Sequence, residues 1–303
     1  MYQKKNTLSL LKFKDRSSYA DSYKYGYDVG DEPPILCDIF QKTKAPELED
    51  LYKKIRETLV KNPMLIPLVV GEKGGFLSIL DAASEGNHIL IGGMQGSGKT
   101  NLVYQILIGL LLNTSNEFCK ITALDHSKGT FSKFKNHIDT VYGEGKIIDF
   151  LKELKKDMLE RFKIMNGFDK ISEYNEQTNE VLPFRVFLFD ELPALKNAEG
   201  IQLLDDILSQ GRSVGYTFVF TAQRPCYKSI DSRIKSHIPN LLCLRVSSGI
   251  NEEVILGTRE YNAKLQPKGD MIFFSNGNYS RIKAPYHPLE DIKRLLCNLS
   301  NAI

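Results

Sequence analysis

The stretch Gly92-Gly93-Met94-Gln95-Gly96-Ser97-Gly98-Lys99-Thr100 puts four glycines into nine residues and ends on a lysine and a hydroxyl. It stands between the apolar run His88-Ile89-Leu90-Ile91 and the longer apolar run from Leu102 to Leu112. Gly93 to Thr100 fits the spacing G-x-x-x-x-G-K-[ST], with a buried strand expected before it and a helix behind it. Glycines there let backbone N–H groups converge, and the N-terminus of the following helix adds the positive end of its dipole. Together they make a cradle for the β and γ phosphates of a nucleotide. Lys99 supplies a mobile positive charge, and the Thr100 hydroxyl can ligate magnesium. A plain glycine-rich turn between strand and helix would need neither. The expected ligands are therefore ATP and Mg2+, with Gly93, Met94, Gln95, Gly96, Ser97, Gly98, Lys99, Thr100 and Asn101 around the phosphates.

Outward from this loop, short β-rich runs recur at HILIGG, ITALD, RVFLFDE, YTFVFTAQ, LLCLRVS and DMIFFS, with helical or irregular segments between most of them. Alternation of this kind predicts a mainly parallel sheet, and continuous apolar strands such as VFLF and FVF predict burial by helices on both faces. The expected fold class is α/β, a doubly wound sheet, occupying residues 66–303. Residues 1–65 read differently. SYADSYKYGYDVGDEPP is polar and rich in tyrosine, and PELEDLYKKIRETLVKNP sets Leu48, Leu51, Tyr52, Ile55 and Leu59 on one helical face. They are expected to form an N-terminal appendage, available to an accessory protein. The four tyrosines between Tyr19 and Tyr27 can stack on bases, pack, or remain disordered.

Bulk properties bound the rest. With 303 residues, 42% of them hydrophobic, the chain can bury one large core. No apolar run reaches the roughly 20 residues of a membrane helix, and the start MYQKKNTLSL lacks a secretory core. A cytoplasmic protein with no integral membrane segment is expected. The five cysteines are odd in number and show no metal-binding spacing, which suits a reducing compartment. A net charge of +3 permits a nucleic-acid partner without demanding one.

A phosphate loop calls for an acidic motif on a neighbouring strand. Phe187-Leu188-Phe189-Asp190-Glu191 supplies it, with Asp190 for the magnesium shell and Glu191 to polarise the attacking water. The same two residues can also simply end the strand or cap a helix. Gln223, at the end of Thr221-Ala222-Gln223, is a candidate sensor of the γ phosphate, or an ordinary polar strand end.

From about Leu68 to Pro288 the chain resembles the motor domain of FtsK/SpoIIIE-type DNA translocases, within a wider group that includes conjugation-coupling and secretion ATPases. Beyond the phosphate loop, ALDHSK, MLERFKIMNGFDKISEYNE, FLFDELPALK, GRSVGYTFVFTAQRP, IDSRIKSHIPN, LRVSS and KGDMIFF follow in the family's order and near its spacing. His126-Ser127 departs from the family's Pro-Lys. The resemblance implies a RecA-like ATPase core working as a homo-hexameric ring around double-stranded DNA, with a positive charge entering each site from the neighbour. Arg212 matches the family's arginine for that role, although a salt bridge or a helix cap is an equal reading; Arg245 is the second candidate. DNA contacts are expected from Arg224, Lys228, Arg233 and Lys235, of which Arg224 and Lys235 match family positions, unless this charge run is only a solvated face.

The chain leaves no room for the membrane domain, long linker and winged-helix module of full-length cell-division translocases. Septum anchoring and directional sequence reading are not expected. A stand-alone motor suits DNA transfer or packaging by a plasmid, phage or mobile element. The other class of function is a secretion-type ATPase module that binds a protein segment. A kinase would make TAQRP and LRVSS coincidences.

Overall fold

A computed structural model of the chain describes residues 66–292, apart from 74–75, 84–87, 128, 179, 224–229, 285, 287 and 289. The appendage expected at 1–65, with its tyrosines and amphipathic helix, lies outside the described residues, as do Arg224 and Lys228. One ten-stranded sheet organises the described residues. Its strands are β1 (Pro67–Lys73), β2 (Phe76–Asp81), β3 (Ile89–Gly92), β4 (Cys119–Asp125), β5 (Asp139–Tyr142), β6 (Phe184–Asp190), β7 (Tyr216–Ala222), β8 (Asn240–Leu244), β9 (Asp270–Ser275) and β10 (Asn278–Lys283). The helices between them are α1 (Lys99–Asn113), α2 (Glu144–Ile164), α3 (Ile171–Gln177), α4 (Ala198–Gln210), α5 (Ser232–Ser236) and α6 (Gly249–Leu256).

The strand order is β2-β1-β10-β9-β8-β3-β7-β6-β4-β5. From β8 to β5 every pairing is parallel; from β8 through β9, β10, β1 and β2 every pairing is antiparallel. The parallel half is the one whose strands read as unbroken apolar runs. β3 and β7 are buried at every position. Phe187 on β6 stacks on Phe218 of β7 at 4.6 Å between centroids, and Phe218 stacks on Phe220 at 5.4 Å. The antiparallel half contains the strands that escape a reading for helical alternation. β2, the edge strand, and β10 mix polar with apolar residues and are mostly half-buried, whereas β1 between them is buried from Pro67 to Gly71.

The parallel order corrects one expectation. The acidic strand β6 is not beside the loop-bearing strand β3, because β7 pairs with both and lies between them. Right-handed crossovers returning through helices need not join strands that are adjacent. The consequence is local: the residues ending β7 stand between the phosphate loop and the acidic pair.

The opposite edge is held by a buried histidine. His88 Nδ1 accepts the Phe218 N–H at 3.1 Å, and its carbonyl accepts from Asn240 Nδ2 at 3.3 Å, clipping the entries of β3, β7 and β8 together. Burial, with smaller contributions from the Arg212 and His237 charges, pushes its pKa down from 6.5 to about 3. The folded state thus binds fewer protons than the unfolded one between these values. Stability from this group is complete above pH 6.5 and is lost as pH falls toward 3, by up to about 1.4 kcal/mol per pH unit. His88→Gln keeps an acceptor without titrating, so urea unfolding of the variant between pH 7 and 5 is expected to fall off less steeply than that of the wild type. Equal slopes would remove His88 from this role.

Candidate active site

The phosphate loop joins β3 to α1 and is tied down on three sides. Gly93 N donates to Ala222 O at 3.1 Å at the end of β7, and Met94 N donates to Arg245 O at 2.8 Å just past β8. Ser97 O accepts from Gly269 N at 2.9 Å, immediately before β9. Gly93 has to be glycine for packing, since a Cβ there would stand 2.7 Å from Ser97 Oγ and 3.0 Å from Leu244 Cβ. Gly98 has to be glycine for conformation, with φ of +108°. α1 then starts with no side-chain cap and no acidic residue in its first turn. The first N–H groups of a helix have no acceptor within it, which is why a helix N-terminus can receive an anion.

Lys99 opens α1 and is only 7% exposed. Burial pulls its pKa down, while the nearby charges of Glu191 and Asp190 work against that shift. The reciprocal effect appears at Glu191, whose carboxyl is raised by burial against the opposing influences of the Gln223 N–H and Lys99. Lys99, Asp190 and Glu191 therefore share one electrostatic site, although 91 residues separate Lys99 from Asp190 along the chain.

The acidic pair is oriented by hydroxyls on both sides. Asp190 Oδ2 accepts from Thr130 Oγ1 at 2.7 Å and Oδ1 from Thr221 Oγ1 at 2.8 Å. The Thr221 hydroxyl in turn accepts the Glu191 N–H at 2.9 Å, and Glu191 Oε2 accepts the Gln223 N–H at 2.8 Å. Glu191 adopts φ of 56°, a left-handed conformation costing a non-glycine residue about 1 kcal/mol. Strain of this kind collects where a side chain must be aimed. Gln223 itself is exposed, at the end of the strand that separates loop from acid.

Thr130 and Thr221 were not picked out from the sequence as site residues. Thr130 is set by the turn after β4, where Asp125 Oδ1 accepts from Ser127 N at 2.9 Å and Oδ2 from Thr130 N at 3.1 Å, and where the Tyr104 hydroxyl of α1 donates to Thr130 O at 2.6 Å. Asp125 in ALDHSK was the available signal. It orders the turn whose threonine reaches Asp190.

Among the described residues no group of three or more His, Cys, Asp or Glu side chains is arranged to hold a metal. Magnesium takes one or two protein ligands and completes its shell with phosphate and water. Thr100 is exposed and Asp190 half-buried, and the Asp190 carboxylate is oriented by Thr130 and Thr221. Ser97 Oγ is fully buried in the loop without a hydrogen-bond partner.

The two arginine candidates part company. Arg245 lies against its own phosphate loop through its carbonyl. Arg212 is exposed in the turn before β7, at the opposite edge of the sheet from Gln223, about 20 Å away along a seven-residue strand. Its turn is anchored from below: Arg161 donates to Val214 O at 3.1 Å, to Pro183 O at 2.9 Å and to Asp157 at 2.9 Å. Asp157 also receives Arg185 at 2.8 Å and the Tyr216 hydroxyl. The motif MLERFKIM thus fixes the turn that presents Arg212. Of the four cations expected to meet DNA, the two described ones are engaged within the chain. Arg233 is held by Asp231 and Gln202, and Lys235 Nζ donates to Val254 O at 2.6 Å.

The hydroxyl relay supports a direct test. Thr221→Val removes a donor to Asp190 and leaves the Glu191 N–H without its acceptor, at a cost of about 1–3 kcal/mol. Unfolding by urea is expected to show that loss in Thr221→Val and little of it in Thr221→Ser, which keeps the hydroxyl. Identical stabilities would show that the relay contributes nothing.

Known proteins share this sequence pattern and this fold. The model of the FtsK/SpoIIIE family matches residues 51–228. The chain is 27% identical over 277 residues to the DNA translocase FtsK of Helicobacter pylori strain J99, a match covering 86% of this chain and 30% of that protein. It is 26% identical over 281 residues to the DNA translocase FtsK of Chlamydia pneumoniae, covering 84% and 34% respectively. The chain spans about a third of the length of these relatives. Two solved structures share the fold. The pCW3 conjugation coupling protein TcpA has a TM-score of 0.67 at 21% identity, over 77% of this chain and 70% of that one. The type VII secretion ATPase EccC of Thermomonospora curvata has a TM-score of 0.67 at 21% identity, over 77% and 31%. With more than half of its residues matched by the family model, and with the loop, acidic pair and strand-end glutamine at the C-terminal ends of neighbouring parallel strands, the chain belongs to the FtsK/SpoIIIE family.

Proposed function

We propose that this chain is the motor of an ATP-driven DNA translocase, hydrolysing ATP to move double-stranded DNA through a ring of identical subunits. The observation that carries the reading is the convergence of Lys99, Asp190, Glu191 and Gln223 beside an uncapped helix N-terminus. Only a nucleotide with a γ phosphate and an attacking water makes use of all of them. The first-turn N–H groups and Lys99 hold the phosphates. Thr100 and Asp190 are the residues to hold magnesium, which when bound neutralises phosphate charge. Glu191, kept partly desolvated, accepts a proton from the attacking water, and Gln223 links the γ phosphate to β7 and the segment beyond it.

DNA as cargo rests on the relatives named DNA translocase. The fold alone does not separate cargoes, because the coupling protein and the secretion ATPase match it equally well. Arg224 and Lys228 are proposed to contact DNA, with Arg233 and Lys235 joining only if their present partners release them. Transfer or packaging for a plasmid, phage or mobile element is the proposed setting. Residues 66–303 are assigned to the motor and 1–65 to an appendage, within which the family match already begins at residue 51. No helix among the described residues is long and apolar enough to cross a membrane.

Three outcomes are expected. Glu191→Gln retains ATP binding while hydrolysis falls by about 10²-fold or more. Because burial raises the Glu191 carboxyl above its ordinary 4.5, wild-type turnover loses activity on the acid side at a pH above that value, where the protonated group can no longer accept. Near-normal turnover of the variant would take the role of base away from Glu191.

Long duplex DNA stimulates wild-type ATP turnover. Lack of both stimulation and low-salt DNA binding would move the protein-cargo reading ahead of the translocase.

Arg212 sits too far from its own loop to serve it, so it is proposed to act on the neighbour's site. Mixing Arg212→Ala with Glu191→Gln subunits then restores hydrolysis at interfaces that combine an intact glutamate with an intact arginine. Co-assembled mixtures without recovery would exclude a role in trans.

A further inference from the structure

The wall of the phosphate loop away from β7 is built by the chain around β9 and β10. Lys283, at the end of β10, pairs with Asp270, at the start of β9, so the segments flanking both residues lie at the same sheet edge as the loop. Gly269 N donates to Ser97 O, and Ala284 N donates to Gly269 O at 2.7 Å. The contact is close: a Cβ added to Gly98 would stand 3.4 Å from Gly269 N and Cα. A ladder of backbone hydrogen bonds thus leads outward from the phosphate loop to Ala284. Two residues further on, within roughly 7 Å of chain, stands Tyr286.

Tyr286 is 59% exposed, among the most exposed large side chains of the described residues. Lys268 Nζ lies 5.9 Å from its ring centroid, so a cation takes one aromatic face and steadies the ring while the rest stays open to water. Neither residue touches the acidic pair or the hydroxyl relay. A nucleotide whose phosphates occupy the first turn of α1 must project its sugar and base beyond the loop. The Ser97–Gly98 side of the loop is the side that touches Gly269, the residue bonded to Ala284.

We propose that Tyr286, steadied by Lys268, is the platform on which the nucleobase stacks. The inference rests on the reading of the loop as a nucleotide site and names the part of that site that holds the base. Stacking uses the π face that every base carries, so it supplies affinity with little choice between adenine and guanine. The contribution is to holding nucleotide, not to the hydrolytic step.

Binding by the full chain is measured for wild type, Tyr286→Ala and Tyr286→Phe, using ATP, GTP and inorganic tripolyphosphate as a probe without a base. Tyr286→Ala is expected to weaken ATP and GTP alike by roughly 5- to 100-fold, the range for loss of one base–aromatic stack. Tripolyphosphate binds the variant as it binds the wild type, and Tyr286→Phe keeps wild-type affinity for all three. Unchanged ATP affinity in Tyr286→Ala would overturn the platform while leaving the nucleotide site intact. So would a parallel loss of tripolyphosphate, which would mean that Tyr286 only supports the loop. A wild-type chain that bound neither ATP nor tripolyphosphate would overturn the nucleotide reading, and the platform with it.

Discussion

Three backbone hydrogen bonds, from Gly93 to Ala222, from Met94 to Arg245 and from Gly269 to Ser97, hold the phosphate loop to the ends of β7 and β8 and the entry of β9. A loop rich in glycine has much conformational entropy to lose, and an anion site works only when its N–H groups are already aimed. The ties meet that need with neighbouring strands in place of side chains. They also make the loop sensitive to those strands. A shift of β7 moves Gly93, and a shift of the segment before β9 moves Ser97.

β7 carries further connections at the same edge. Its Thr221 hydroxyl binds Asp190 and the Glu191 N–H, and the Gln223 N–H binds the Glu191 carboxylate. Its position between β3 and β6 lets one strand touch both the phosphate side and the acidic side of the site. A polar residue at its end is thereby placed to report on the γ phosphate. The buried Thr221 hydroxyl, with partners on both sides, gives the acidic pair a defined geometry, because each unmade bond would leave a costly unsatisfied group.

The other end of β7 begins at the turn that exposes Arg212. Asp157, Arg161, Arg185 and Tyr216 form a charged network beneath it, and Arg161 spends its guanidinium on the carbonyls of Pro183 and Val214. Such a network is a poor source of stability, since desolvating its charges offsets much of their attraction. Its value lies in specifying one turn conformation. A single strand therefore has Gln223 just past one end, against the Glu191 carboxylate, and the turn that exposes Arg212 at the other.

The phosphate loop was legible in the sequence because its chemistry is carried by consecutive residues: glycine where φ must be positive, lysine for charge and threonine for a hydroxyl. The parallel strands were legible because strands buried on both faces must be apolar without interruption. Asp190, Glu191 and Gln223 could be named from their places at strand ends. What the linear order could not supply was which strands become neighbours. Pairing is decided by how crossovers and helices pack, so only the folded chain put β7 between β3 and β6 and brought Thr130 to Asp190 and Gly269 to Ser97. β2 and β10 escaped because edge and hairpin strands mix polar with apolar residues. The cations after Gln223 mark the remaining limit: a charge is visible in a sequence, but whether it meets solvent or a carbonyl, as Lys235 meets Val254, is set by packing. The residue types determined the chemistry of this protein, and tertiary packing decided which of those residues share a site.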